Sequence, residues 1–198
     1  MTRPVALITG VGRPHGIGAA IARELAADGW DIALSRWQPS DDAMFGPGAS
    51  SGLAEVIGDA RGAGARVVDV PVDLAGADAA ALLFDAARRE LGAVNALVLS
   101  HAWDVESGIF DTTVDEFDRH FAINARASWL LIREFAEQTE SGGAVVALTR
   151  PHHGQPPVRC EQGRTRSHRD FGSARAGASG HLGERPEPRP DRYGMDDG

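Results

Sequence analysis

Val5-Ala6-Leu7-Ile8-Thr9-Gly10-Val11-Gly12-Arg13-Pro14-His15-Gly16-Ile17-Gly18-Ala19-Ala20-Ile21-Ala22 carries an apolar strand, a glycine turn and the start of a helix, in that order. Glycine lets the backbone take positive φ and approach a ligand closely. The first turn of the following helix offers unpaired N–H groups and a positive dipole end to an anion. The stretch therefore reads as a phosphate cradle; the competing possibility is an ordinary strand-to-helix turn that happens to hold glycines. Working outward, Ile17, Ile21 and Leu25 stand at helical spacing within residues 16–28, and residues 31–35 form a short apolar strand, completing a βαβ unit. Residues 38–52, rich in glycine, proline and serine, read as a surface loop, followed by a helix near 53–62 and a strand at 66–72. A helix is expected at 78–91 and a fourth strand at 95–100. One long helix is expected at 113–138, with Phe117, Phe121, Ala125, Ser128, Ile132 and Phe135 on one face, before a fifth strand at 144–149. This alternation predicts an α/β fold, a Rossmann-like doubly wound parallel sheet of five strands, with a ligand beyond the strands' carboxyl ends.

With 198 residues, 42% of them hydrophobic, the chain has room for one domain with a real core. A formal charge of −8 speaks against nucleic acid or an anionic membrane as partner, since both call for a basic surface. The lone Cys160 excludes an internal disulfide, the apolar run after Met1-Thr2-Arg3-Pro4 is too short for a signal peptide, and no run is long enough to cross a bilayer. A soluble, cytoplasmic protein is expected. All twenty basic residues are arginine, and the only tyrosine is Tyr193.

The character changes at Arg150. Residues 150–198 hold nine arginines, six prolines and eight glycines but only four large aliphatic or phenylalanine residues, too little apolar surface to offset ordering entropy. The expected organisation is a nucleotide-binding domain over 1–149 and an irregular tail over 150–198. His152, His153, Cys160 and His168 match no closed zinc pattern, so no metal site is expected. The tail's charge of +2 and its scarcity of aromatic residues make it a poor RNA binder.

Over residues 1–149 the order of motifs resembles the short-chain dehydrogenase/reductase family. Thr9-Gly10, five residues, then Gly16-Ile17-Gly18 resembles that family's glycine turn with two extra residues; it does not match the Gly-x-Gly-x-x-Gly spacing of other dehydrogenases. Where an acidic side chain would read the ribose hydroxyls of NAD, the second strand ends in Ser35-Arg36, with Arg13 inside the turn; both arginines suit a 2′-phosphate. NADP is therefore expected, with NAD less favoured; the competing reading is that the two arginines merely solvate the surface. Asp73-Leu74 resembles the pair that sits against the adenine, or is a strand-terminating aspartate. Leu99-Ser100-His101-Ala102 stands where the family has Asn-Asn-Ala-Gly: Ser100 and Ala102 are small enough for a close cofactor, whereas His101 is a bulky departure, expected at the surface or behind the site. Asp104 and Glu106 read as solvated loop acids. Phe121-Ala122-Ile123-Asn124 matches the family's helical asparagine, which holds a water in the proton relay; a structural hydrogen bond is the competing role for Asn124.

Hydride transfer needs a proton moved on the substrate oxygen, and in the family a tyrosine with a lysine four residues later does this. Here Tyr193 is followed at that spacing by Asp197, and lysine is absent from the chain. With one base skipped, the codons of residues 158–163 can be read as Tyr-Gly-Ala-Ser-Lys-Gly. In the same frame those of 187–195 can be read as Asn-Pro-Gly-Pro-Thr-Asp-Thr-Gly-Trp, resembling the family's later Pro-Gly cofactor segment. A changed reading frame near Thr149 and Arg150 accounts for both.

The resemblance implies an oxidoreductase interconverting a carbonyl and an alcohol on a small-molecule substrate, with little or no turnover expected of the chain as written. Cofactor contacts are expected from Gly10, Arg13, Gly16, Ile17, Gly18, Arg36, Asp73, Leu74 and Ser100, with Asn124 as the surviving relay residue. Homo-oligomers are usual in the family, built on the helix carrying Phe117 to Phe135 and its successor; with that successor lost, association is expected to fail or turn to aggregation. Two other classes stay open: a non-catalytic nucleotide-binding or scaffold protein, and a truncated product that hardly folds.

Overall fold

The structure, a computed structural model, describes residues 2–105, 107–138 and 142–149; the expectations for Glu106 and for residues 150–198 lie outside the described residues. Strands β1 (Val5–Thr9), β2 (Asp31–Arg36), β3 (Val67–Pro71), β4 (Val94–Leu99) and β5 (Ala144–Ala147) form one sheet, all neighbours parallel, in the order β3-β2-β1-β4-β5. The chain moves outward from β1 to β3 and then returns to lay β4 and β5 on the other side of β1. The strand order therefore reverses between β1 and β4, where a doubly wound sheet opens a crevice at its carboxyl edge. Helices α1 (Ile17–Ala27), α2 (Gln38–Phe45), α3 (Leu53–Gly62), α4 (Ala79–Glu90), α5 (Val114–His120) and α6 (Ser128–Gln138) complete the fold, with a π-helical segment, Phe121–Ala127, between the last two.

β1 is buried along its whole length, and its period of two distributes side chains to two cores. Ala6 and Ile8 join Ala19, Ala22, Ile32, Leu34 and Val56 on one face; Val5 and Leu7 join Leu83, Phe84, Leu97, Leu131 and Phe135 on the other. Full burial of side chains such as Phe84 and Leu131 contributes roughly 2–3 kcal/mol each. At the amino edge Asp31, 1% exposed, accepts from the Arg66 backbone N–H and guanidinium at 2.8 Å each and lies 3.5 Å from Arg3 Nε, tying β2 to the start of β3.

Two sequence expectations are corrected. Residues 38–52 are not a loop throughout, because α2 occupies their first half. Pro39 and Asp41 in its first turn favour a helix start, while none of its residues is buried, so no apolar stripe announced it. The expected single helix over 113–138 is broken by the π-helical segment. Its wider turn rotates the buried stripe onto His120, Ile123, Asn124, Ala127, Ser128, Leu131 and Phe135, leaving Phe117, Phe121 and Ile132 exposed and Ala125 half-buried. Among the described residues no helix is long and apolar enough to cross a membrane.

Candidate functional site

Gly10 ends β1 with φ +73°, and a Cβ there would come 2.7–2.8 Å from the backbone of Ser100 and His101 at the end of β4. Only glycine allows the two strand ends to approach so closely. Gly18 is similarly confined: its Cβ would meet the Gly10 carbonyl at 3.1 Å and Ser100 Oγ at 3.3 Å. α1 starts behind an extended Gly16 with no side-chain cap and no acidic residue in its first turn, so its first N–H groups stay available to an anion. The Val11 N–H donates to the Ser35 carbonyl at 2.8 Å, holding the turn against β2.

Two adjoining cavities, of about 160 and 430 Å³, flank this turn. Ser35, Arg36, Trp37, Asp41, Asp73 and Leu74 line the smaller; Gly16, Ile17, Gly18, Asn124, Ser128 and Thr149 line the larger; Gly10, Arg13, Phe45, Ser100 and His101 border both. The structure thus brings every sequence-expected site residue to one of two contiguous spaces. Residues missed from sequence include Trp37, Ser40, Asp41, Met44 and Phe45, on α2 or just before it, in the smaller cavity, and Ser128 and Thr149 in the larger. Pro39 followed by Ser40-Asp41-Asp42 was the available helix-start signal.

The charges of the smaller cavity are largely paired. Arg36 places a guanidinium fork on Asp69 at 2.9–3.1 Å, Arg119 lies 3.6 Å from Asp73, and Arg13 stacks 3.6 Å over the Phe45 ring. Asp73 also accepts from the Ala75 N–H at 3.0 Å, the turn geometry of a strand-ending aspartate. The Ser35 hydroxyl, on a residue 1% exposed, has no hydrogen-bond partner among the described residues.

His101 sits half-buried between β1 and the π-helical segment, neither at the surface nor behind the site. Its Nε2 lies 3.1 Å from the Ile123 carbonyl, which can only accept, so Nε2 carries the hydrogen and Nδ1, 2.7 Å away, accepts from the Thr9 hydroxyl. Burial pushes its pKa down to about 4, partly countered by the bond to Ile123. The ring is therefore a neutral strut with both nitrogens engaged. Asn124 closes another clamp: Oδ1 accepts from the Trp103 N–H and Nδ2 donates to the Trp103 carbonyl, both at 2.8 Å. The Trp103 indole N–H donates to Glu116 at 3.2 Å, and Arg119 lies 4.6 Å over its ring. Among the described residues no group of three or more His, Cys, Asp or Glu side chains is placed to hold a metal ion.

The sequence profile of the family described as "Enoyl-(Acyl carrier protein) reductase" matches residues 10–155. The chain is 32% identical over 143 residues to versicolorin reductase stcU of Emericella nidulans, covering 72% of this chain and 49% of the relative. Among solved structures it is similar to a short-chain dehydrogenase/reductase from Serratia marcescens, with TM-score 0.68 and 26% identity over 81% of this chain and 63% of that one. It is also similar to a blue fluorescent protein from a metagenomic library in complex with NADPH, with TM-score 0.65 and 28% identity over 75% of this chain and 56% of that one. The chain spans about half the length of the curated relatives it matches.

Proposed function

The chain belongs to the short-chain dehydrogenase/reductase family, and on that premise we propose that it binds NADP(H), with NAD(H) the weaker coenzyme, along the two cavities at the glycine turn. The carrying observation is the close approach of Gly10 to the end of β4 beside an uncapped helix start, which leaves backbone N–H groups available where a pyrophosphate would lie. The NADPH bound in the metagenomic neighbour supports the same coenzyme here. Arg13 and Arg36 border the smaller cavity, the ribose and adenine end, with Asp73 and Leu74 as its far wall; Ser100 stands where the two cavities meet. The unpartnered Ser35 hydroxyl suits a hydroxyl-bearing ligand in that wall.

Bound nicotinamide supplies or accepts the hydride in carbonyl–alcohol interconversion, the proposed reaction class, on a small-molecule substrate in the cytoplasm. The larger cavity is the proposed place for that exchange. Asn124 lines it with one Oδ1 lone pair left over from its bonds to Trp103, and its relay part is limited to that edge. His101 cannot supply the proton while both its nitrogens are engaged, and the chain has no lysine to set beside a tyrosine. The 198-residue chain is therefore proposed to bind coenzyme with little turnover, and the alternative reading frame beyond Thr149 to encode the missing tyrosine and lysine. The test compares the chain as written with the product of the gene put into that frame. Both should bind NADPH, and only the second should oxidise it in the presence of ketones and quinones. Carbonyl-dependent oxidation by the chain as written would overturn the missing-donor proposal, and a junction sequence whose codons cannot yield tyrosine and lysine would overturn the frame proposal.

A further inference from the structure

Asp41, in the first turn of α2, folds back onto the glycine turn. A Cβ built on Gly12 would come within 1.8 Å of Asp41 Oδ2, so the carboxylate fills the space that a side chain at position 12 would take. It lines the smaller cavity together with Ser35, Arg36 and Asp73, and Ser50 Oγ donates to its Oδ2 at 3.2 Å. The charged groups around it are Arg13 from the glycine turn, Arg36 from the end of β2 and Asp42 from α2 itself; burial raises its pKa above the ordinary carboxylate value, against the pull of Ser50 and the two arginines. Those arginines are less available to a further anion than their number implies, because Arg36 is already forked onto Asp69 and Arg13 is stacked on Phe45. Asp41 lies beyond the strand end where an acidic ribose reader is looked for, so Ser35-Arg36 alone misstates the charge of this corner.

We propose that Asp41 is a coenzyme-selecting residue: its carboxylate accepts from the 2′-hydroxyl of the adenosine ribose and opposes a 2′-phosphate, limiting the preference for NADP(H) that Arg13 and Arg36 create. This rests on the coenzyme binding proposed above. Ionised Asp41 and a 2′-phosphate share one small cavity, and like charges at such separations oppose each other even when partly screened. The test is fluorescence titration of the full chain with NADPH and with NADH, in the wild type, Asp41→Asn, Asp41→Ser and Asp42→Asn, with circular dichroism to confirm the fold of each. Both Asp41 variants should tighten NADPH about tenfold relative to NADH, whereas Asp42→Asn should move the ratio less than twofold. The 2′-phosphate itself titrates near neutrality, so pH dependence is read as the difference between wild type and Asp41→Asn, which should shrink as the pH is lowered and Asp41 protonates. A ratio within twofold of wild type in folded Asp41 variants, or an equal shift from Asp42→Asn, overturns the proposal while leaving coenzyme binding intact. Failure of every form to bind either coenzyme overturns both.

Discussion

Gly10→Ala is expected to destabilise the folded unit by about 3 kcal/mol and to abolish coenzyme binding. At φ +73° an L side chain costs roughly 1–2 kcal/mol by itself. The added methyl would also stand 2.7–2.8 Å from His101 Cα, His101 N and the Ser100 carbonyl, all of them backbone, so β1 and β4 must part by several tenths of an ångström. Forcing an atom into so tight a contact adds roughly 1–3 kcal/mol. Separation of the strand ends also displaces the Ser100 N–H from Thr9 Oγ1, 3.2 Å away, and the His101 ring from the Thr9 hydroxyl. Gly12→Ala is the matched control, because its methyl meets only the Asp41 carboxyl, which can swing away; a cost below about 1 kcal/mol is expected. Urea unfolding followed by tryptophan fluorescence reads both, and for a chain of this size about 3 kcal/mol corresponds to a Tm lowered by roughly 6–12 °C. The reasoning is refuted if Gly10→Ala stays within about 1 kcal/mol of wild type and keeps its coenzyme affinity, or if Gly12→Ala is equally damaging.

Asn124→Ala should cost about 2–4 kcal/mol, since it strands the buried N–H and carbonyl of Trp103; unchanged urea stability would return Asn124 to a purely relay role. His101 binds a proton only near pH 4 when folded but near 6.5 when unfolded, so the unfolded state takes up more protons between those values. Stability should therefore fall as pH drops from about 6.5 toward 4, by up to about 3 kcal/mol; His101→Gln should flatten that slope, and matching slopes for the two proteins in urea would contradict the assignment. Asp31→Ala should lose about 3 kcal/mol by leaving Arg66 and Arg3 without their buried acceptor, while Asp85→Ala, which removes an exposed pair with Arg88, should lose less than about 1 kcal/mol. Comparable thermal melts for those two variants would show that burial does not set the difference.

The parallel sheet was legible because β1, β2 and the carboxyl half of β4 are buried apolar runs that end at turn residues, and because α1 and α4 carry apolar spacing on one face. α2 was not, since it buries nothing and so leaves no periodic trace; with it the sequence concealed Trp37, Asp41 and Phe45 from the site. The π-helical segment was equally invisible: Phe117, Phe121 and Ile132 satisfy a regular 3.6-residue pattern that the wider turn then rotates outward. Local spacing located Arg13 and Arg36 but not their partners Phe45 and Asp69, because those contacts join segments distant in sequence. His101 shows the same limit, its role resting on Thr9 and Ile123, which only the folded chain brings to it.

Trp37 lines the smaller cavity, so coenzyme bound along the glycine turn of the intact 198-residue chain should draw tryptophan-to-nicotinamide energy transfer. Addition of NADPH should quench tryptophan emission and sensitise nicotinamide fluorescence saturably, with a Kd on the order of 10 μM. A chain that circular dichroism shows to be folded, yet gives neither quenching nor sensitised emission with NADPH or NADH up to millimolar concentrations, would contradict the assignment of this crevice to a nicotinamide dinucleotide.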